Sequence, residues 1–257
     1  MAPKRDQEQK HKAAPGLSPA QGDQNLDLEE YGPIFFHNEN EDYGFMSNFY
    51  RTTFGAPHPS KWLSQLSETV PSAVPSQAGD EGPDTVVFRH SEQYYMYCKA
   101  IYFGDEDAAS KIINADTPTE CKAAGRSVRG YSDKAWEKHD LKVRVMEEAL
   151  WWKFGGGKPE GLLENSGARP EWATINTKED RMKSLNDLGR ELLATGERQL
   201  VEAAGRDRYW GIGYKIKQGP HLFENSWGRN QLGKSLMAVR ERLRELVDGD
   251  TEEMEVE

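Results

Sequence analysis

The sequence predicts an α+β fold, a mostly helical single domain with a few short strands. Several long segments repeat apolar side chains at helical spacing, while only two short runs are apolar or β-branched in the manner of strands. The chain has 257 residues, enough for one domain with a substantial core, and it contains no internal repeat. Together these features predict one mostly helical domain.

The first half of the chain predicts two strands and two helices. The apolar residues Ile34–Phe36 and the β-branched run Thr85–Phe88 predict the strands. The serine that opens residues 91–103 is placed to cap a helix over that range. The Thr-Pro-Thr-Glu that opens residues 117–125 is a capping box with proline at the first helical position, and it predicts a second helix.

The second half predicts four further helices and a long loop. Residues 132–154 are the longest helical candidate, because apolar residues recur there at helical spacing until three consecutive glycines. Residues 185–194 and 198–204 predict two helices divided by a Thr-Gly pair. The aromatic stretch 206–229 predicts a loop, and Asn230 begins a final helix with leucine and valine along one side.

Both ends and two internal stretches have the composition of segments outside the core. Residues 1–30 predict a disordered polar tail and residues 248–257 an acidic tail. Residues 55–84, with a short helix near Trp62, and about 155–183 predict surface insertions. The net charge is −10, of which the first thirty residues contribute −2 and the last ten −6. The part between the tails is nearly neutral, which is compatible with a local basic groove.

Composition and motifs exclude several classes of protein. No apolar run approaches the roughly 18 residues that cross a bilayer, and the N-terminus lacks a secretory signal. Two cysteines, Cys98 and Cys121, make no disulfide framework, so we expect a reduced cytoplasmic or nuclear location, with Cys98 in the core. Because HExxH, CxxC, P-loop and GxSxG patterns are absent, we expect no metal, no cofactor, and neither NTPase nor serine-hydrolase chemistry.

One face of the helix predicted over 91–103 combines ionisable side chains that suit catalysis. Glu92, Tyr95 and Lys99 share that face, because helix residues seven apart differ by only about 20° in direction. Glu92 lies in the first turn, where the helix dipole stabilises a carboxylate. Lys99 lies about 10 Å further along the axis, so the two side chains could flank one ligand. The alternative interpretation is a solvated face with a capping glutamate.

The loop segment 205–213 combines a carboxylate, an aromatic plane and glycines. Asp207 could bind ribose hydroxyls or act as a base, and Trp210 could stack on a nucleobase or cover a ribose. Glycines such as Gly211 let backbone amides approach a ligand closely. The alternative is a loop that its tryptophan anchors in the core.

Two further segments carry candidate ligand residues. Arg229 and Asn230 stand at the start of the final helix, where a helix N-terminus and a positive charge could hold a phosphate. Asn48 could read a polar edge of a ligand beside Phe49, although a turn followed by buried aromatic residues explains the same pattern.

These segments together resemble the NADAR (NAD and ADP-ribose) family, which includes the bacterial YbiA proteins. The shared motifs occur in the family's order over about residues 35–245, and the ordered set is far more specific than any single piece. The resemblance implies a YbiA-like NADAR domain over 31–247. In this sequence the motifs are Tyr43-Gly44, Ser47-Asn48-Phe49, Ser91-Glu92, Tyr95, Lys99-Ala100, Gly125-Arg126, Trp136, Leu193-Ala194-Thr195-Gly196, Leu200-Val201-Glu202, Asp207, Tyr209-Trp210-Gly211, Gly228, Asn230 and Leu232-Gly233.

The resemblance implies an N-glycosidase, an enzyme that cleaves the bond between ribose and nitrogen. It implies that Glu92, Lys99 and Asp207 are catalytic, with Lys99 attacking the opened ribose as a Schiff base or contacting a phosphate. Cleavage develops positive charge on the ribose, which a nearby carboxylate stabilises. The residues expected to bind or shape the substrate are Asn48, Phe49, Ser91, Tyr95, Arg126, Trp136, Tyr209, Trp210, Gly211, Arg229 and Asn230.

The expected reaction is the removal of ADP-ribose from ADP-ribosylated guanine in nucleic acid, because no riboflavin-pathway fusion partner is visible in the sequence. The expected partner is therefore ADP-ribosylated nucleic acid or an ADP-ribose-like small molecule, with no membrane association. Two alternatives stay open: an N-glycosidase of phosphorylated riboflavin-biosynthesis intermediates, and a non-catalytic module that binds NAD or ADP-ribose. Glu92 and Lys99 on one helix face favour catalysis, since a binding module needs neither a general acid nor an amine.

Overall fold

The structure, a computed structural model, describes residues 32–64, 85–155 and 175–249. The predicted tail 1–30, most of the acidic tail and the central parts of the two predicted insertions lie outside these residues. Within the three described ranges, no helix has the length and apolar character that spanning a bilayer requires. The same ranges contain no group of three His, Cys, Asp or Glu side chains placed to hold a metal ion.

The strands form two separate two-stranded sheets. Strand β1 (Ile34–Phe36) pairs in parallel with β4 (Leu200–Glu202), and β2 (Phe54–Pro57) pairs antiparallel to β3 (Thr85–Phe88). The two predicted strands are therefore confirmed. The stretch predicted as the first insertion begins as the paired strand β2.

Helices make up most of the described structure, which confirms the mostly helical α+β fold class. Short 3₁₀ segments occur in the connections, at Gly44–Met46, Lys138–Asp140, Ile216–Gln218 and Pro220–Ser226. The helices in chain order are α1 (Ser60–Leu63), α2 (Ser91–Tyr102), α3 (Glu106–Ile113), α4 (Pro118–Arg126), α5 (Asp133–Glu137), α6 (Leu141–Gly155), α7 (Lys178–Ser184), α8 (Asp187–Ala194) and α9 (Gln231–Asp248).

Helix α2 is the centre of the domain. It packs against α3, α4 and α6, and nearly all of its side chains are buried. Helix α9 packs against α6 and β4 with Leu232, Leu236, Val239 and Leu243 fully buried, as the predicted one-sided pattern requires. Cys98 is also fully buried, as expected. The N-terminal turn of α2 and the end of β4 are thereby both held rigidly by the core.

Two helix starts differ in how well their sequence predicts them. Thr117 and Glu120 form the predicted capping box at the start of α4. Helix α2 begins differently, because its N-cap is His90 and not Ser91. The Nδ1 atom of His90 accepts the backbone N–H of Gln93 at 3.0 Å and so satisfies one of the free donors of the first turn.

The prediction of one continuous helix over 132–154 is wrong. Ser132 does cap a helix, through a hydrogen bond from the backbone N–H of Ala135 to its hydroxyl. That helix, α5, ends within a few residues. His139 and Asp140 both adopt a φ of 55°, a left-handed conformation that cannot continue a right-handed helix. Helix α6 starts anew at Leu141.

The predicted helix over 198–204 is also wrong, since Leu200–Glu202 form strand β4. Leu200 and Val201 are both fully buried, as in a strand covered on two faces. Pairing with β1, which is distant in sequence, overrides the local helical preference. Helices α3 and α7 are missing from the sequence prediction, and α7 lies in the stretch predicted as the second insertion.

Candidate active site

A cavity with a volume of about 470 Å³ lies where α2, α4, β4 and the loop after β4 meet. Four acidic side chains line it: Glu39 from the segment after β1, Glu92 from the first turn of α2, Glu202 from the end of β4, and Asp207 from the following loop. The structure therefore brings two predicted catalytic residues, Glu92 and Asp207, to one site and adds two further acidic residues.

Cationic side chains line the same cavity. Lys122 and Arg126 lie one turn apart on α4, while Arg206 and Lys215 come from the loop after β4. The predicted ligand residue Arg126 is thus part of the wall. Cations beside carboxylates allow one cavity to bind an anionic group and to hold negative charge next to it.

The segment Ser47, Asn48 and Phe49 forms another part of the wall, as predicted for the last two residues. The carbonyl of Asn48 accepts the backbone N–H of Glu92 at 3.1 Å, which ties this segment to the first turn of α2. The Nζ of buried Lys153 donates to the carbonyl of Ser47 at 2.9 Å. The Oδ1 of Asn48 is buried without a hydrogen-bond partner among the described residues, so a polar ligand atom is a suitable partner.

Burial in the cavity raises the pKa of two of its acidic groups. Burial raises the pKa of Glu92, while the charges of Lys122 and Arg126 act in the opposite direction. Burial, assisted by the charges of Asp207 and Glu92, raises the pKa of Glu202 to about 8. At neutral pH Glu202 therefore holds a proton inside the cavity.

Asp207 is fixed by the backbone of its own loop. Its Oδ1 accepts the N–H groups of Tyr209 and Trp210, both at 2.8 Å. The indole of Trp210 lines the cavity and meets the ring of Tyr95 edge-on at 5.6 Å. The Tyr95 hydroxyl in turn accepts the indole N–H of Trp136 at 2.8 Å. Of the predicted aromatic residues, Trp210 is in the wall, and Tyr95 and Trp136 support it from the core.

The NADAR domain family matches residues 34–244, a range that contains every residue of the cavity wall. The chain belongs to the NADAR family. The resemblance inferred from the ordered motifs is confirmed, and the acidic cavity is a feature of a NADAR domain.

Relatives of this NADAR chain include N-glycosidases. One from Acanthamoeba polyphaga mimivirus is 32% identical over 161 residues, which is 62% of this chain and 77% of that protein. N-glycosidase YbiA of Shigella boydii is 26% identical over 82% of this chain and 88% of its own length. A riboflavin biosynthesis protein of Vibrio vulnificus is 26% identical over 83% of this chain, but the match spans only 39% of that protein. The relatives named N-glycosidase confirm the prediction of a glycosidase-type enzyme.

Among solved structures, the NMR structure of the E. coli protein YbiA is similar to this chain. The alignment covers 82% of this chain and 84% of YbiA, at 25% identity and a TM-score of 0.47.

In this NADAR domain, Lys99 is not among the residues that line the cavity with Glu92. Its Nζ donates to the carbonyl of Gly125 at 2.9 Å and lies 3.6 Å from the centre of the Tyr131 ring. Burial lowers the pKa of Lys99. The lysine therefore shares a helix with Glu92, as predicted, but contacts the last turn of α4.

Other predicted binding residues also lie outside the cavity wall. Ser91 is fully buried at the start of α2. Gly211 packs against β4, where an added Cβ would come within 2.8 Å of the carbonyl oxygen of Glu202. Arg229 is exposed and its guanidinium lies 5.2 Å from the centre of the Tyr209 ring. These residues surround the cavity and do not form its surface.

Asn230 has both ends of its side-chain amide engaged by β4. Its Oδ1 accepts the backbone N–H of Glu202 at 2.9 Å, and its Nδ2 donates to the carbonyl of Leu200 at 2.8 Å. The residue adopts a left-handed φ of 51°, which asparagine tolerates better than most residues. The structure thus gives Asn230 a positioning contact with β4 in place of a ligand contact.

Sequence reasoning did not select Glu202 and Lys122. Glu202 belongs to a shared motif, but it lies in a segment predicted as a helix. Two apolar residues followed by an acid, between turn residues, are the signal of a short strand that ends in a carboxylate. Lys122 precedes Arg126 by four residues, a spacing that places both on one helix face.

Proposed function

We propose that this chain hydrolyses the N-glycosidic bond that joins ADP-ribose to guanine in nucleic acid. The observation that supports this most strongly is the meeting of four acidic and four cationic side chains in one cavity. The acidic groups suit a reaction at the ribose, and the cations suit a diphosphate. A substrate with both features, such as an ADP-ribosyl group, matches this arrangement.

Glu92 and Asp207 have separate roles in the proposed reaction. Cleavage of an N-glycoside produces positive charge on the ribose in the transition state. Glu92 is placed to stabilise that charge, because the charges of Lys122 and Arg126 oppose the rise in its pKa that burial causes. Asp207 accepts a proton from the attacking water, and its two backbone hydrogen bonds orient it before the substrate binds.

The cationic wall holds the diphosphate. Arg126 and Arg206 are exposed, and a guanidinium group binds phosphate oxygens in pairs. Phe49 and Trp210 offer aromatic faces to the base or to the apolar side of the ribose.

A second cavity favours a polymeric substrate over a free nucleoside. It has a volume of about 830 Å³ and shares His37, Asn38 and Lys215 with the first. Its wall includes the exposed side chains of Tyr43 and Lys217. Aromatic and cationic side chains next to each other bind single strands by stacking and by phosphate contacts. The strand that flanks the modified guanine therefore has a surface on which to lie.

The covalent role that the resemblance implies for Lys99 requires a local rearrangement. Its Nζ must leave the carbonyl of Gly125 and the ring of Tyr131 before it can attack an opened ribose. The attack also needs the neutral amine, which the lowered pKa favours. Borohydride trapping of an adduct in the wild type, absent from Lys99→Ala, is the expected sign of this step.

The similarity to a riboflavin biosynthesis protein supports a second candidate, hydrolysis of phosphorylated riboflavin-biosynthesis intermediates. Such a small substrate would have no use for the second cavity. A non-catalytic module for NAD or ADP-ribose is disfavoured, because four acidic side chains weaken the binding of an anion that is only to be held.

The test is incubation of the full chain with guanine-linked ADP-ribosylated DNA and, separately, with the phosphorylated ribosylamine intermediate. Mass spectrometry should show free ADP-ribose and restored guanine, and Glu92→Gln should abolish both. Turnover of the ribosylamine alone would move the assignment to the second candidate. Binding of ADP-ribose by calorimetry without turnover of either substrate would leave only a binding module.

A further inference from the structure

Glu202 is held at the end of β4 with its side chain in the cavity wall. Its backbone N–H donates to Oδ1 of Asn230 at 2.9 Å, and its carbonyl accepts the N–H of Ile212 at 3.0 Å. Phe36 of β1 is its partner in the parallel sheet. Three neighbours on different segments therefore fix the backbone from which this carboxyl group extends.

The carboxyl group of Glu202 has surroundings unlike those of Glu92. Its Oε2 is buried and, within the described part of the chain, accepts no hydrogen bond. The charged groups that act on it are Asp207 from the loop, Glu92 from α2 and Lys122 from α4, so negative neighbours predominate. Glu92 instead faces both Lys122 and Arg126, and it lies in a first helical turn that stabilises negative charge.

We propose that Glu202 is the general acid that protonates the leaving nitrogen, while Glu92 stabilises the ribose cation. This inference rests on the proposed N-glycosidase function. The bond between C1 and nitrogen breaks with its electron pair going to nitrogen, which takes the proton of Glu202. Water adds to C1 and gives its proton to Asp207, and exchange through solvent returns a proton to Glu202. The products are a C1 hydroxyl on the ribose and an N–H on the free base.

The proton affinity of Glu202 agrees with this assignment. Burial, Asp207 and Glu92 together raise its pKa to about 8, so the acid form predominates at neutral pH. A general acid is most effective when its pKa lies near the working pH. Burial raises the pKa of Glu92 as well, but two cations, Lys122 and Arg126, oppose that rise, whereas only Lys122 opposes it at Glu202. The two carboxyl groups can therefore divide the acid and the charge-stabilising roles between them.

Three Glu→Gln variants test the proposal: Glu202→Gln, Glu92→Gln, and the control Glu245→Gln on the exposed side of α9. For Glu202→Gln we expect kcat on the preferred riboside to fall about 10²–10⁴-fold with little change in KM. We also expect the decrease of kcat on the alkaline side of pH 8 to disappear. Glu92→Gln should lower kcat but keep an alkaline decrease, and Glu245→Gln should match the wild type.

The proton on Glu202 can be observed without substrate. Carbon-13 NMR of side-chain carboxyl groups in the free protein should show a glutamate that titrates near pH 8 and is absent from Glu202→Gln. If the wild type hydrolyses neither riboside, the proposed function fails, and this titration still decides whether Glu202 holds the proton. A Glu202 that is ionised at pH 7, or a Glu202→Gln enzyme with the wild-type kcat, would overturn the proposal.

Discussion

Asp105 and Glu202 both bury carboxyl oxygen atoms, yet the fold gives these groups opposite surroundings. Asp105 caps α3, where its Oδ1 accepts the N–H of Ala108 and its Oδ2 accepts the N–H of Arg129 at 2.8 Å. The guanidinium of Arg129 adds an ion pair at 2.7 Å. These hydrogen bonds and this charge lower the pKa of Asp105 to about 2, while burial raises the pKa of Glu202 to about 8.

Asp105 shows that this chain can place hydrogen-bond donors around a buried carboxylate whose role is to stabilise the fold. At Glu202 the described structure supplies no hydrogen-bond donor to Oε2, so its ionised form lacks the stabilisation that such donors would give. Carboxyl groups with such perturbed proton affinity are concentrated where a reaction uses their protons. The comparison thus separates a carboxylate that stabilises the fold from a carboxyl group that serves the cavity.

The largest expected effect lies at the cavity. Asp207→Asn keeps an oxygen for the N–H groups of Tyr209 and Trp210 but loses the charge, so the loop should persist while kcat falls about 10²-fold or more. Thermal unfolding of this variant should stay within about 2 °C of the wild type. An Asp207→Asn enzyme with the wild-type kcat would refute the role given to the carboxylate.

Replacement of Asp105 should have the reverse effect, a loss of stability without a loss of activity. Asp105→Asn keeps an oxygen for the cap but loses the charge beside Arg129, so the unfolding free energy should fall by about 2 kcal/mol at pH 7, with kcat unchanged. The folded pKa is about 2 and the ordinary value is 3.8. This contribution is therefore complete above about pH 4 and is lost as the pH falls towards 2. Urea unfolding at pH 7 and pH 3 measures it, and an equal difference at both values would contradict the ion pair as its source.

His90 extends the comparison to a buried base. Burial and the charges of Arg51, Lys153 and Arg89 lower its pKa from 6.5 to about 4. The unfolded chain takes up a proton on this residue first, so His90 should contribute a loss of about 1 kcal/mol of stability between pH 7 and pH 5.5, measured as the difference between the wild type and His90→Asn. The raised pKa of Glu202 acts in the opposite direction over this range and is common to both proteins. His90→Asn keeps an acceptor for the N–H of Gln93 and should remove this dependence in urea unfolding. If the stability of His90→Asn and of the wild type changed equally between pH 7 and pH 5.5, another group would be the cause.

The smallest expected effect concerns the second cavity. Lys217→Gln should raise KM for ADP-ribosylated DNA about threefold and reduce the slope of its salt dependence by about one, because one phosphate contact is lost. Lys234→Gln, an exposed lysine on α9, is the matched control. Identical KM values for the two variants would show that the nucleic acid does not bind at the second cavity.

The sequence predicts those elements whose cause is local. The capping box at Thr117, the β-branched run Thr85–Phe88 and the one-sided apolar pattern after Asn230 each contain their own signal. The break at His139 and Asp140 does not, since no glycine or proline marks it. Strand β4 is likewise hidden, because its conformation depends on β1 at the other end of the chain.

The residues of the candidate site likewise divide into those with a local signal in the sequence and those that depend on long-range pairing. Glu92 could be selected from its helix position, Asp207 and Asn48 from loop chemistry within a few residues, and Arg126 from the family resemblance. Glu202 enters the cavity only because β4 is a strand, so the error in that element concealed the residue. Local chemistry selected candidate groups, and long-range pairing determined which of them meet.

The parallel pairing of β1 with β4 also sets the moment at which a newly made chain can become active. During synthesis β1 emerges long before β4, the strand that completes its sheet. Glu92 and Lys122 also emerge before β4. Until Glu202 and Asp207 have followed, the cavity lacks two of its four acidic groups. A nascent chain is therefore inert towards ribosides until most of the domain has been translated, and contacts between such distant segments are among the slowest to form.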